Sequence, residues 1–148
     1  MKRILLTLVA CVTALALRAG ELEWLTDLTR AQALAKSEKK AVLIDFTGSD
    51  WCGFCIKLDK QVFATKEFAD YAKDNLVLVS LDFPRKKEQP AELKATNAKL
   101  KSRYEVSGFP TVIMIDSEGR ILGKQVGYGG DPAKAYIENL KSWKVKMK

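Results

Sequence analysis

Cys52 and Cys55 stand two residues apart, and the 148-residue chain contains no histidine. The missing imidazole excludes His-dependent nucleophilic triads, His-ligated zinc or copper, and histidine as a proton shuttle. Chemistry must therefore run on Cys, Asp, Glu, Lys or Tyr. A bridge between cysteines so close in sequence restricts the unfolded chain very little, whereas structural disulfides gain most by closing long loops. A metal clip would need two further soft ligands, and the remaining cysteine, Cys11, sits in a segment expected to be removed. The pair is read as reactive rather than structural. No metal and no cofactor is expected.

Such a pair needs elements that hold it. Residues 26–39 carry Leu28, Ala31, Leu34 and Ala35 at helical spacing. Residues 41–46 form a near-continuous apolar run broken only by Asp45, which predicts a central strand covered on both faces. Residues 47–50 read as a loop, with Asp50 placed to cap a helix starting at Trp51 or Cys52. Leu58, Val62, Phe63, Phe68 and Tyr71 continue the helical spacing to about Asn75. Residues 76–81 predict a second buried strand. A charged loop at 84–90 and a short helix over 91–104 follow, with Leu93, Leu100 and Tyr104 as its apolar positions. Strands 111–115 and 121–126, joined through Asp116-Ser117-Glu118-Gly119, predict a hairpin. Asp131 and Pro132 predict the start of a last helix that turns Tyr136, Ile137, Leu140 and Trp143 inward. The expected order is α-β-α-β-α-β-β-α, in one domain.

The N-terminus reads differently. Met1-Lys2-Arg3 is basic, residues 4–17 are apolar, and no acid occurs before Glu21. This pattern predicts a secretory signal peptide over 1–19, ahead of a folded domain over 20–148. The run is short of the about 20 apolar residues of a membrane-spanning helix. Leu8-Val9-Ala10-Cys11 also resembles a bacterial lipoprotein box, which would anchor the chain at Cys11, but the stretch before it is short and simple export is the expectation. The whole chain carries 25 Lys+Arg against 18 Asp+Glu, or +7, and losing Lys2, Arg3 and Arg18 leaves +4. That surplus is a solubility statement. Arg85-Lys86-Lys87, Lys94, Lys99, Lys101 and Arg103 make a basic stretch opposed by Glu88 and Glu92, read as a solvated face; without interleaved aromatics no nucleic-acid site is expected. The C-terminal Lys141, Lys144, Lys146 and Lys148 read as a frayed end.

A strand leading into Cys-x-x-Cys at the start of a helix resembles the thioredoxin superfamily. The residues that carry the resemblance are Ile44-Asp45-Phe46, Trp51-Cys52-Gly53-Phe54-Cys55, Gly108-Phe109-Pro110-Thr111 about 55 residues after the pair, and Val126-Gly127. The resemblance spans roughly residues 24–143. It implies an α/β thioredoxin fold, a central mixed sheet flanked by helices on both faces. Three departures stand out. Phe54 replaces the proline of thioredoxin's dipeptide, Lys60 lies near the place of the family's kinking proline, and residues 84–103 are longer than in a minimal thioredoxin.

Cys52 at a helix N-terminus would meet unpaired N–H groups and the positive end of the helix dipole, both of which favour a thiolate. Its pKa is expected below the free value of about 8.5, and by resemblance near thioredoxin's value of about 7. Cys55, one turn on, would point inward and resolve the mixed disulfide. Asp45, buried without a partner, should keep its proton; the resemblance makes it the proton acceptor for Cys55 through water, while a strand-end carboxyl reaching solvent is the plainer alternative. Pro110, cis by resemblance, would pack against the disulfide and present the Phe109 backbone to an extended substrate. Trp51, Gly53 and Phe54 would border that substrate, or Trp51 and Phe54 could simply cover the site. Lys57 reads as a solvated helix lysine.

The expectation is an exported, periplasmic thiol-disulfide oxidoreductase, acting as a monomer on protein disulfides through the Cys52/Cys55 redox pair. With no histidine in its dipeptide to stabilise the thiolate, it should run as a reductase or isomerase fed by a membrane thiol relay. The alternatives are a net oxidant and a non-catalytic thioredoxin-like binding module.

Overall fold

The computed structural model describes residues 22–147. The expected signal peptide and Cys11 lie outside the described residues. Five strands form one mixed sheet: β1 (Trp24–Leu25), β2 (Ala41–Thr47), β3 (Leu76–Asp82), β4 (Thr111–Ile115) and β5 (Ile121–Val126), in the order β1-β3-β2-β4-β5. β1, β3 and β2 run parallel, and β4 and β5 complete the sheet antiparallel. The helices are α1 (Leu28–Glu38), α2 (Gly53–Leu58), α3 (Lys66–Asn75), α4 (Ala91–Arg103) and α5 (Ala133–Lys144).

All seven residues of β2 are buried, as a strand covered on both faces requires. Strand alternation divides its side chains between two cores. Ala41 and Leu43 join Leu58, Phe63, Phe68, Tyr136 and Leu140 under α2, α3 and α5. Val42, Ile44 and Phe46 join Ala31, Ala35, Val79 and Ile113 under α1. Each fully buried aliphatic side chain contributes roughly 1.5–3 kcal/mol relative to exposure. Asp45 shares the alternation of Ala41 and Leu43 and so faces the α2, α3 and α5 side.

Several boundaries differ from the sequence reading. A short edge strand, β1, precedes α1 and pairs with β3 at Leu78 and Val79. The expected helix over 51–75 is three pieces: α2, a π-helical turn at Asp59–Phe63, and α3. The Ala64 N–H donates to the Asp59 carbonyl at 2.8 Å, five residues back. Thr65 then restarts the helix by accepting the Phe68 N–H on its hydroxyl. Asp131 does not cap α5. Pro132 occupies the cap position without a side-chain bond, and the Asp131 carbonyl accepts the Tyr128 hydroxyl at 2.6 Å instead. In α4 only Asn97 is fully buried. Trp143 is half-buried and lies flat on β5, where Gly123 admits it because a Cβ there would intrude on the indole.

Candidate active site

The site begins at the end of β2. After Thr47 the chain turns through residues 48–51, and the Cys52 N–H donates to the Gly48 carbonyl at 2.9 Å. The turn can close this tightly only because Gly48 has no Cβ; one built there would lie 2.5 Å from the Trp51 indole. Cys52 is the N-cap of α2, with extended backbone, and its sulfur accepts the Cys55 N–H at 3.3 Å. Cys52 and Cys55 form a disulfide. The two are almost equally covered, 6% and 4% exposed, so their asymmetry is one of placement: one sulfur at the cap, the other a turn inside the helix. Gly53 and Phe54 between them are exposed, Phe54 to 62%.

Asp50, expected as the helix cap, does something else. Cys52 fills the cap, and the Asp50 carboxylate accepts the backbone N–H groups of Arg85, Lys86 and Lys87 at 3.0, 2.7 and 2.9 Å. These bonds, the Arg85 amide first, hold its pKa down to about 2. Asp82, at the end of β3, performs the parallel task for Ser49, accepting its N–H at 2.9 Å and its hydroxyl at 2.6 Å. The Asp82 carbonyl in turn accepts the side-chain amides of Gln89 and Asn97 at 3.2 and 3.1 Å. The Trp51 indole N–H donates to the Phe83 carbonyl at 2.8 Å. Three residues of the turn are thus fastened to one segment, 82–87.

The opposite wall is the segment before β4. The Phe109–Pro110 peptide is cis, Pro110 is buried, and its carbonyl accepts the Gly127 N–H at 2.7 Å. The Thr111 hydroxyl donates to the Gly108 carbonyl at 2.7 Å. Phe109 meets Trp51 edge-on with centroids 5.9 Å apart and packs against Phe83 at 5.1 Å.

Asp45 is 8% exposed, and its Oδ1 atom is buried without a hydrogen-bond partner. Burial, reinforced by the charges of Asp59 and Asp82, pushes its pKa up to about 8. The Tyr136 hydroxyl is a second buried polar atom without a partner, and the electrostatic field of Asp45 adds to the burial that raises its pKa. Lys57 is exposed on α2, and among the described residues no cluster of Cys, Asp and Glu is built to hold a metal ion.

A thioredoxin-like domain model matches residues 28–141. The chain belongs to the thioredoxin-like family of thiol-disulfide oxidoreductases. This thioredoxin-like chain is 38% identical over 124 residues to the disulfide bond reductase DsbH of Chlamydia pneumoniae, covering 84% of itself and 74% of that protein. It is 33% identical over 111 residues to the thiol:disulfide interchange protein DsbD of Cronobacter sakazakii, of whose length it spans 17%. A solved structure of a DsbH oxidoreductase superposes with a TM-score of 0.79 at 36% identity, with 88% of each chain covered. A thioredoxin from Thermus thermophilus, 20% identical, shares the fold with a TM-score of 0.62, covering 84% of this chain and 88% of its own.

Sequence reasoning named both cysteines, Asp45 and the Phe109-Pro110 wall. It missed Asp82, Ser49, Phe83 and the relation of Arg85 to Trp51. Asp82 carried a readable signal: it is the one acid at the end of an apolar strand that runs beside β2, in register with Thr47.

Proposed function

We propose that the protein is an exported disulfide reductase. Cys52 attacks a disulfide of a protein substrate and forms a mixed disulfide, releasing one substrate sulfur as a thiolate that takes up a proton. Cys55, deprotonated through water toward the fraction of Asp45 that is ionised near its pKa of about 8, then attacks Cys52. The mixed disulfide breaks, the second substrate thiol leaves, and the protein ends oxidised as Cys52–Cys55. Two electrons pass to the substrate, and an upstream thiol relay in the membrane must return them. Phe109, Pro110, Trp51, Gly53 and Phe54 border the extended substrate.

The observation that carries the direction is the surroundings of Cys52. Its sulfur sits at a helix cap beside one backbone N–H, with the apolar Phe54 in the intervening dipeptide and no histidine in the chain. No imidazole can donate a hydrogen bond or a charge to its thiolate, and weaker stabilisation of the reduced form means a more reducing couple. The reductase name of the DsbH relative agrees with this direction. The leader pattern of residues 1–19 supports export to the periplasm.

Insulin reduction driven by dithiothreitol tests the reading. Catalysed precipitation of the insulin chains, abolished in Cys52→Ser, is the expected result. A rate no faster than dithiothreitol alone would favour the binding-module alternative.

A further inference from the structure

The basic loop after β3 is folded onto the redox turn rather than splayed into solvent. Asp50 gathers the backbone N–H groups of Arg85, Lys86 and Lys87, which fixes the backbone of three consecutive basic residues against the turn that leads into Cys52. The Arg85 guanidinium lies 3.6 Å from the centroid of the Trp51 ring. On the other wall, Lys101 from the end of α4 holds its ammonium 6.0 Å from the Phe109 ring. Trp51 and Phe109 touch each other. Cations from two separate elements therefore border one aromatic surface, and Phe54, two residues after Cys52, is exposed.

Lys87 donates its ammonium to the Ser49 hydroxyl at 3.4 Å and its charge helps to lower the Asp50 pKa, but no close ion pair holds any of these cations. Among the described residues, none of Arg85, Lys86, Lys87 and Lys101 forms a side-chain ion pair with a carboxylate, whereas other lysines and arginines, such as Lys66 and Arg120, do. The nearest acids are occupied: Asp50 holds the loop amides, and both Asp82 oxygens bind Ser49. Glu88 is exposed on the same loop and pairs with none of them. An arginine stacked on an indole is pre-organised and keeps its N–H fork available for a carboxylate.

We infer that this border is a docking surface for polypeptides that carry Asp or Glu beside the disulfide to be reduced. The inference rests on the reductase reading above and adds a substrate class to it. Arg85, Lys86 and Lys87 would meet carboxylates on one side of the attacked sulfur and Lys101 on the other, while Phe54, Trp51 and Phe109 cover the apolar part of the chain. Trp51 and Phe109 pack on each other, Phe109 also packs on Phe83, and Arg85 takes the indole.

Two disulfide-bonded peptides with the same loop, one flanked by Glu and Asp and the other by Lys, test this with the full chain. The acidic peptide should be reduced with a kcat/KM about tenfold higher at low ionic strength, the ratio shrinking several-fold in about 0.5 M salt. Charge reversal at Arg85, Lys86 and Lys87 (each →Glu) should invert the preference. Lys101→Glu, on a separate element, should reduce it, so the inference does not depend on one variant folding. Equal rates for the two peptides, or a preference untouched by either variant, would overturn the docking surface and leave the redox chemistry standing. Salt-sensitive binding to phosphatidylglycerol vesicles without a peptide preference would overturn it in favour of a lipid surface. Reduction of neither peptide would overturn the reductase reading and this inference with it.

Discussion

Trp51 donates its indole N–H to the Phe83 carbonyl at 2.8 Å, tying the residue before the redox cysteine to the residue after β3. Gly48 makes room for that indole. Trp51→Phe should leave the Phe83 carbonyl without its partner and cost about 1–2 kcal/mol. Gly48→Ala should force the indole out of place at a cost of about 1–3 kcal/mol. Urea denaturation of the oxidised protein measures both, and unaltered midpoints would show that the turn is held by other contacts.

The two cysteines should divide the reaction. Cys55→Ser is expected to accumulate mixed disulfides with substrate, because the attacking sulfur remains and the resolving one is gone. Cys52→Ser should trap nothing and turn over nothing. Non-reducing gels read the difference directly, and equal trapping by both variants would contradict the assignment.

Asp45 makes a stability prediction with a definite sign. Its carboxyl, raised to about 8 in the folded protein, keeps a proton that the unfolded chain has released above roughly pH 4. The folded state therefore binds more protons across that window, and stability falls as pH rises from about 4 to about 8. Asp45→Asn removes the cost of charging a buried carboxyl and should be more stable than the parent at pH 8, by an amount on the order of a few kcal/mol, and nearly equal to it at pH 4. Denaturation at the two pH values checks this. The same variant should slow attack by Cys55 more than attack by Cys52 in stopped-flow traces between pH 6 and 9, and unchanged rates for both steps would remove Asp45 from the mechanism.

Phe54 bears on direction. Replacing it with His puts a donor and potential positive charge beside Cys52, which should lower the thiol pKa and make the couple more oxidising. A change of about 30 mV corresponds to about 1.4 kcal/mol, well within reach of a titration. No shift would mean that the dipeptide does not set the thiolate's energy.

The central strand and the cysteine turn were legible because apolar runs and a Cys-x-x-Cys before a helix are strong local signals. The breaks were not. Leu58, Val62 and Phe63 keep their inward spacing through the π-helical turn, so periodicity cannot register it, and only the capping potential of Thr65 marks the restart. β1, two residues long, is below the length at which alternation can be read. Asp50 looked like a cap because short acidic side chains suit that position; its actual partners lie 35 to 37 residues away and are set by how β2 and β3 pair, which no local pattern contains. The same long-range pairing brings Arg85 to Trp51, while Lys86 and Lys87 beside it stay exposed, as a solvated basic face requires.

The reduction potential of the Cys52–Cys55 couple tests the central claim most directly. Equilibration of the purified protein against glutathione buffers, with the oxidised and reduced forms separated by alkylation, gives it. The expected value is much closer to thioredoxin's, about −270 mV, than to the about −120 mV of strong oxidants of this fold. A value at the oxidant end would contradict the reductase assignment.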